Sequence, residues 1–474
     1  MAKKMEKITS RDTDFSQWYT DVVKNSGLID YGPVKGTMIF KPYGYAIWEN
    51  IQKILDAEFK KLNVSNVYFP LLIPASLFNR EKEHVEGFAP ELATVTKVGD
   101  KILGEELYIR PTSEVLIVDH FAKEVKSYRD LPLIYNQWTS VMRWEKTTRP
   151  FLRSSEFLWQ EGHTIHESEQ EARAMTLNIL EVYKKFASEV LMLPVISGRK
   201  TEREKFAGAK ETYTIESLMY DGQSLQAGTS HYFGDNFSKA FNIKFQNMNQ
   251  QEEYGYTTSW GVSTRLIGAI IMTHSDDQGL VLPAKIAPIQ VQIININEST
   301  EVLEASQQLQ AKLADDFRVA IDKSDKSFGF KIADAEIKGI PIRIEIGPRD
   351  LEKQQVTVSR RDIRSKTQVN ISEVEKYVHE QIQAYDQNIY QQALTNRQQR
   401  TFSANTVAEY MALLDKKQGL VLVPFCGRIT CEQEVKEKTQ TNSRCIPDDV
   451  VQEKAKCFNC QQESKLKVYF ARAY

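Results

Sequence analysis

The chain has 474 residues, of which 41% are hydrophobic and 26% charged, with a formal net charge of -2. That length exceeds what one hydrophobic core fills and predicts two to four domains. The near balance of charge excludes general coating of nucleic acid, so a nucleic-acid partner must meet a local basic surface.

No run approaches the ~18 continuous apolar residues of a membrane span. The N-terminal residues 1–7 are charged and lack an apolar signal core. Residues 9–30 predict a short amphipathic helix carrying Phe15, Trp18, Tyr19 and Val22. Gly32, Pro33, Gly36 and Pro42 then break the chain. A long helix is predicted from Gly44 to Leu62, with Ile47, Ile51, Ile54, Leu55 and Phe59 at near-helical spacing. It leads into an apolar strand over residues 67–74, where Pro70 points to a sheet edge, a subunit contact or a bent core strand.

Tyr108 to Glu114 runs from an apolar start into Pro111 and a polar Thr112-Ser113-Glu114. Thr112 and Glu114 fit the cap and first-turn acid of a helix over 114–126, or the holding of a substrate ammonium. Ile134–Trp144 and Glu156–His163 predict two strands of a long hairpin around a basic, Pro-containing loop. Strand alternation then puts Arg143 with Glu145 on one face, and Phe157, Trp159, Glu161 and His163 on one face of the return strand. Arg149 and Arg153 lie on the loop. Two aromatic rings, carboxylates, an imidazole and guanidiniums suit a flat heteroaromatic ring joined to phosphates. The same residues also fit a solvated sheet face with cross-strand ion pairs.

Residues 167–191 predict a charged amphipathic helix, and Gly198–Gly208 a polar turn carrying Phe206. Strands follow over 213–260, with Gln226 beside the small-residue stretch Gly228-Thr229-Ser230-His231. That stretch lets backbone approach a ligand, or simply ends a strand in a tight turn. Ser259 to Met272 reads as a strand feeding an apolar helix opened by Arg265. Amides at a helix N-terminus plus a guanidinium make a phosphate site, and the cost of burying an unpartnered arginine in an apolar run favours that reading over an Arg265 that simply reaches solvent at the helix end.

From Pro288 the pattern changes to strands and helices in alternation: strands at 289–296, 318–321, 340–346 and 355–359, helices at 301–317 and 328–338. This predicts a separate α/β domain. Arg343, Arg349, Lys353, Arg360, Arg361 and Arg364 concentrate positive charge there, for RNA or as guards on strand edges. A Gln-rich helix over 372–400 links it to the last unit. All five cysteines lie in that unit, between 426 and 460, which predicts a reducing cytoplasm rather than a disulfide scaffold. Cys426-x4-Cys431 and Cys457-x2-Cys460 fit a structural zinc site of four thiolates, or a redox pair at 457–460, with Cys445 left over. The aromatic tail 467–474 should dock on the rest of the protein.

Together these pieces resemble a known family. The 44–70 helix and strand resemble motif 1 of class II aminoacyl-tRNA synthetases, Arg143-x-Glu145 with Phe157 motif 2, and Gly261-x-Ser-x-Arg265 motif 3. The runs 110–114, 151–163, 205–208 and 226–231, with the four-cysteine tail ending in Tyr474, look like prolyl-tRNA synthetases of archaeal/eukaryotic type. Cys445-Ile-Pro-Asp448 departs slightly from that pattern, where an aromatic usually follows the proline. The resemblance covers essentially the whole chain.

It implies an α+β catalytic core with an antiparallel sheet over 1–286, an α/β anticodon-binding domain over 287–400 and a small α/β zinc-binding domain over 401–474. It also implies a cytoplasmic homodimer that joins L-proline to proline tRNA through a prolyl-adenylate, with ATP, Mg2+ and structural Zn2+. Arg143 would bridge the proline carboxylate and the α-phosphate. Glu145 would orient the adenine end and Phe157 stack on it. Arg153, Ser154, Gln226, Thr229, Ser263 and Arg265 would grip ATP. Thr112 and Glu114 would receive the ammonium, and Trp159, Glu161, His163, Phe206 and His231 would wall the proline. Cys426, Cys431, Cys457 and Cys460 would hold zinc, and Arg343, Arg349 and Arg360 would contact the anticodon. Residues 164–260, between motifs 2 and 3, read as core elements, so no cis editing domain is expected. Another class II synthetase, or a non-catalytic tRNA-binding paralogue, is the competing reading. A zinc hydrolase fits less well, because the cysteines form a closed set far from the other motifs.

Overall fold

The computed structural model describes residues 8–80, 92–416 and 418–474. The charged N-terminus 1–7 lies outside the described residues. The predicted first helix shortens to α1, Phe15–Asn25, because the Asp14 carboxylate caps it by accepting from Gln17 N and Gly27 (φ +70°) turns the chain out of it. Helix α2, Pro42–Lys61, keeps the expected length, with Pro42 at its first turn and Ile47, Ile51, Leu55 and Phe59 buried.

The single strand expected over 67–74 is not formed. A two-residue strand β1, Ser65–Asn66, and a separate strand Leu72–Pro74 flank Pro70 and belong to different sheets. Pro70 cannot donate to a ladder, so the run breaks there. Leu72–Pro74 joins the small sheet of Thr94–Val98 and Lys101–Ile109, which leads to α3, Glu114–Glu124.

The long hairpin consists of β2, Leu133–Met142, and β3, Glu156–His166, antiparallel with Met142 opposite Glu156. Helix α4, Glu169–Glu189, follows, then β4, Ile196–Arg199, β5, Glu211–Leu218, β6, Ser224–Gly234, and β7, Tyr256–Ser263, which runs into α5, Arg265–His274. Strands β4 to β7 lie in the same sheet as the hairpin, with α4 packed on one face through Ile179, Tyr183 and Phe186. Residues 164–260 are thus strands, helices and turns of the core, including a small hairpin at 244–254.

The next unit alternates as expected: β8, Val291–Asn295, α6, Thr300–Leu313, β9, Val319–Ile321, α7, Phe328–Ile337, β10, Ile342–Ile346, β11, Gln355–Arg360, and β12, Lys366–Asn370. Strand β8 pairs in parallel with β9 and β10, and β11 then β12 extend the sheet antiparallel beyond β10, with β12 at the edge. Helix α8, Val374–Gln399, runs from this sheet back to the core, where Tyr385 donates to Leu282 O at 3.0 Å. The two units are also tied by Arg361, whose guanidinium takes both oxygens of Asp276 at 2.6 and 2.9 Å.

The last unit contains β13, Thr401–Ser403, α9, Val407–Lys416, β14, Leu420–Phe425, α10, Ile429–Thr439, β15, Asn442–Pro447, and β16, Leu466–Ala471. The sequence analysis expects a small α/β domain over 401–474, and the strands of this unit continue the catalytic sheet. Strand β15 pairs antiparallel with β4 through Ile446 and Pro447, giving the order β13-β14-β16-β15-β4-β5-β6-β7-β3-β2-β1. The aromatic tail docks as expected: β16 lies inside this sheet, and Tyr474 bonds Ser224 O through its N and Asp221 through its hydroxyl.

Candidate active site

Antiparallel strands β5, β6, β7 and β3 form the floor of a cleft of about 1100 Å³, part of it continuous with solvent. Its lining comes from five separate stretches: Thr112 and Glu114; the hairpin from Arg143 to Glu161; Glu204, Phe206 and Thr212; Gln226 to His231; and Ser259 to Arg265. The fold therefore gathers every residue singled out for the amino acid and the nucleotide into one concavity, apart from His163, which lies behind Glu161.

Strand alternation explains the return strand but not the outgoing one. Phe157, Trp159 and Glu161 share the cleft face of β3, as period two requires. Strand β2 stops at Met142, so Arg143 and Glu145 reach the cleft from the loop. Arg143 is fixed there by its N donating to Ser155 O at 2.8 Å and its Nε to Pro111 O at 3.1 Å. Its guanidinium lies 5.3 Å from the Trp159 ring and 5.7 Å from Phe157, within cation–π range. Arg153 reaches Glu145 at 3.8 Å. Arg149 turns the other way, over Tyr19 and Tyr474, and does not line the cleft.

At the inner end sits a buried carboxylate cluster. Arg110, 2% exposed, pins the 110–113 segment by donating to Ser140 O and Phe69 O. The helix-cap reading of Thr112 is not what forms: Ser113 occupies the cap position without a side-chain bond to the helix amides, and the Thr112 hydroxyl donates to Glu114. Glu161 accepts from Ser113 N at 3.0 Å, Ser113 Oγ at 2.5 Å, Gln137 Nε2 at 2.6 Å and His163 Nε2 at 3.0 Å. Burial would raise the Glu161 pKa, but His163 and these donors outweigh it and hold the carboxyl below its ordinary range. Burial would likewise lower the His163 pKa. Its bond to Glu161 and the charges of Glu114 and Glu161 raise it instead. His231 is different: burial, then the charges of His163 and Arg143, push it down to about 3, so it is neutral. It bonds Thr212 Oγ1 at 3.0 Å and lies 4.5 Å from the Phe206 ring. Trp159 Nε1 is buried with no hydrogen-bond partner among the described residues.

The cleft is thus lined by both carboxylates and guanidiniums. Arg265 heads α5 and donates through Nε to Leu152 O at 3.2 Å. Burial, then the charges of Arg143, Arg153 and Arg444, bring its pKa down to about 10, so it stays charged at neutral pH. Ser113, Gln137, Glu204 and Ser259 belong to this site and were not foreseen. Ser259 was legible as the start of the alternating Ser259-Gly261-Ser263 face of β7, whereas Gln137 acts from the middle of β2 with no local signal.

In the third unit the four cysteines Cys426, Cys431, Cys457 and Cys460 have their Sγ atoms within 4.8 Å of one another. The Cys431–Cys457 and Cys426–Cys460 separations are 3.8 Å, close to the edge of a tetrahedron whose corners stand ~2.3 Å from a central zinc. The set therefore fits a tetrathiolate metal site. Cys445 is buried elsewhere, among Lys200, Arg444 and Glu216.

Among the arginines of the second unit, Arg343 is 8% exposed and bonds Glu345 at 3.0 Å and Glu336 at 3.4 Å. Arg360 is paired with Asp362 at 2.7 Å. Arg349 and Lys353 are exposed. The concentration of positive charge in the sequence is therefore largely used internally.

Comparison with known proteins agrees with these observations. A model of the tRNA synthetase class II core domain (G, H, P, S and T) matches residues 97–274, an anticodon binding domain 290–381, and the prolyl-tRNA synthetase C-terminal domain 407–474. Proline--tRNA ligases of Mycoplasma mycoides and Clostridium novyi are 65% and 52% identical, each aligned over 100% of both chains. The crystal structure of a prolyl-tRNA synthetase from Cryptosporidium parvum complexed with halofuginone and AMPPNP superposes with a TM-score of 0.95 at 38% identity, covering 100% of this chain and 98% of that one. The chain belongs to the prolyl-tRNA synthetase family of class II aminoacyl-tRNA synthetases.

Proposed function

We infer that the protein attaches L-proline to proline tRNA in two steps. The proline carboxylate attacks the α-phosphate of ATP and releases pyrophosphate, and the prolyl group then passes to the terminal adenosine of the tRNA. The observation that carries this reading is the lining of the cleft: the carboxylates Glu114 and Glu161, the guanidiniums of Arg153 and Arg265, and Arg143 close enough to act on both His231 and Arg265. Displacement at phosphorus needs alignment and charge neutralisation more than covalent help. Arg143 holds the carboxylate and the α-phosphate together, so nucleophile and target meet in line. Phe157 stacks on adenine and Glu145 orients it. Arg153, Ser154, Arg265, Gln226, Thr229 and Ser263 hold the nucleotide, and magnesium arrives with the triphosphate.

Glu114 and Thr112 receive the secondary ammonium, with Ser259 Oγ 3.4 Å from Glu114. Trp159, Phe206 and His231 read the ring by shape. A neutral His231 suits an apolar ring, and the unpaired Trp159 Nε1 is a donor for the carboxylate end. Glu161 and His163 act as the support behind that wall. Prolylation of a proline-tRNA transcript by the purified protein tests the whole reading; acylation of that tRNA with a different amino acid would redirect it to another class II synthetase.

A shape-reading pocket rejects a smaller residue weakly, by ~1–3 kcal/mol per methylene. Residues 164–260 are core elements, which supports an enzyme without cis editing. Alanyl-tRNA should therefore accumulate, and its rapid hydrolysis by the purified protein would contradict this. The four thiolates would hold a structural zinc, which would tie the end of β14 and the start of α10 to the 457–460 turn. Exposed Tyr31, Ile39, Tyr45, Tyr68, Leu71 and Leu72, around α2 and Pro70, support a homodimer through this face. No helix among the described residues is long and apolar enough to cross a membrane.

A further inference from the structure

We propose that Arg444, supplied by the third unit, is a positioning residue for ATP binding: by engaging Glu216 it keeps the Arg265 guanidinium available to the triphosphate. The inference rests on the reading of Arg265 as a nucleotide ligand. Glu216 is 1% exposed and sits on β5 opposite Gln226 of β6, so both side chains leave the sheet on the cleft face. Its Oε2 accepts from Arg444 Nη2 at 2.7 Å, Arg444 Nε at 3.0 Å and Ser224 Oγ at 3.0 Å. Its Oε1 accepts from Lys200 Nζ at 2.8 Å and Thr214 Oγ1 at 3.0 Å. Five donors thus saturate one carboxylate, and two buried cations surround one anion.

The backbone is shaped to bring these groups together. Opposite the Ile215–Glu216 step of β5, β6 carries an extra residue, Ala227, between Gly228 and Gln226, and β15 has a bulge between Ser443 and Cys445, which leaves Arg444 as the residue outside the ladder. Bulges re-aim side chains and concentrate beside active sites. Arg444 arrives from a strand 228 residues away, where β15 joins β4.

Arg265 lies within the field of both groups, with Arg444 opposing its charge and Glu216 favouring it. Among the described residues, its Nη atoms have no hydrogen-bond partner. A Glu216 deprived of Arg444 keeps Lys200 as its single cation, and its Oε2 retains only the neutral Ser224 hydroxyl, in a site closed to water. The remaining neighbouring guanidinium is Arg265, which would be drawn from the phosphates to the carboxylate. With Arg444 in place, the cluster instead presents one excess positive charge to the nucleotide end of the cleft.

The test is ATP–pyrophosphate exchange with proline for R444M, E216Q/R444M and R265M, with melting temperatures alongside. R444M should raise the ATP KM by about tenfold or more, the worth of one charge-assisted hydrogen bond, while the proline KM stays within about twofold. E216Q/R444M removes both the anion and the need for its partner, and should recover an ATP KM within about threefold of the parent. Failure of R444M to fold leaves the double variant as the test: folded with near-parental ATP KM supports the proposal, and folded with a KM raised about tenfold overturns it. Equal loss for ATP and proline in R444M, unrelieved by E216Q, also overturns it and makes Arg444 scaffold. R265M separates the two claims, because an unchanged ATP KM there removes Arg265 from the nucleotide site whatever Arg444 does.

Discussion

Replacing Glu161 by glutamine keeps the shape of the pocket wall and inverts one of its acceptors. Glu161 is 2% exposed and takes four donors between 2.5 and 3.0 Å, from Ser113 N, Ser113 Oγ, Gln137 Nε2 and His163 Nε2. An amide offers one oxygen and one NH2, so whichever way it turns the NH2 faces donors. The Ser113 hydroxyl and the His163 ring can turn to accept, but Gln137 Nε2 or Ser113 N still faces the NH2, so at least one charge-assisted bond is lost, worth about 1.5–3 kcal/mol. A whole domain is stable by only about 5–15 kcal/mol. Urea unfolding of the E161Q enzyme should therefore show a large drop in midpoint. Proline should bind more weakly in exchange assays, because Ser113 carries Thr112 and Glu114 on either side and loses its anchor. The ATP KM should change far less, since the residues proposed to hold the nucleotide, Arg153, Ser154 and Arg265, are not among these donors to Glu161. An unchanged midpoint together with an unchanged proline KM would refute the claim that this carboxylate organises the pocket.

The His163 pKa is raised above its ordinary 6.5, so its contribution to stability is complete below pH 6.5 and fades as pH climbs through the higher folded value. Melting temperatures of parent and H163Q should thus converge as pH rises from 6 upward, and a gap independent of pH would contradict the pairing with Glu161 and Glu114. Arg349 is exposed whereas Arg343 is paired with Glu345 and Glu336. R349A should raise the tRNA KM severalfold without touching adenylate formation, while R343A should chiefly cost stability, about 3–5 kcal/mol for a broken buried pair. Equal effects on both reaction steps from R349A would remove it from the RNA surface. Releasing metal with a thiol-reactive agent should liberate one zinc per chain and loosen the third unit, read as protease sensitivity within 401–474. Absence of stoichiometric zinc from freshly purified protein would set that site aside.

Much of the site was legible in the sequence because its chemistry is carried by short runs. Phe157, Trp159 and Glu161 alternate on one strand, Gly261-x-Ser263-x-Arg265 joins a strand to a helix, and two close cysteine pairs announce a tetrathiolate. What escaped depends on pairings far apart in the chain. Nothing near Arg444 signals Glu216, whereas Glu345, two residues from Arg343 on the same strand, was legible as that arginine's partner by strand alternation. The joining of β15 to β4, which merges the third unit with the catalytic sheet, involves only two paired residues per strand and leaves no periodic trace. The break at Pro70 was visible as a proline, yet the choice between a bent strand and two separate strands was settled by partners in different sheets.

The central claim is that the cleft activates proline with ATP. Pyrophosphate exchange into ATP, run with each amino acid in turn, tests it most directly. The account predicts exchange driven by proline, with a weaker alanine signal and silence from the others. Exchange driven by a different amino acid would keep the fold and discard the pocket assignment, and no exchange with any would contradict the account.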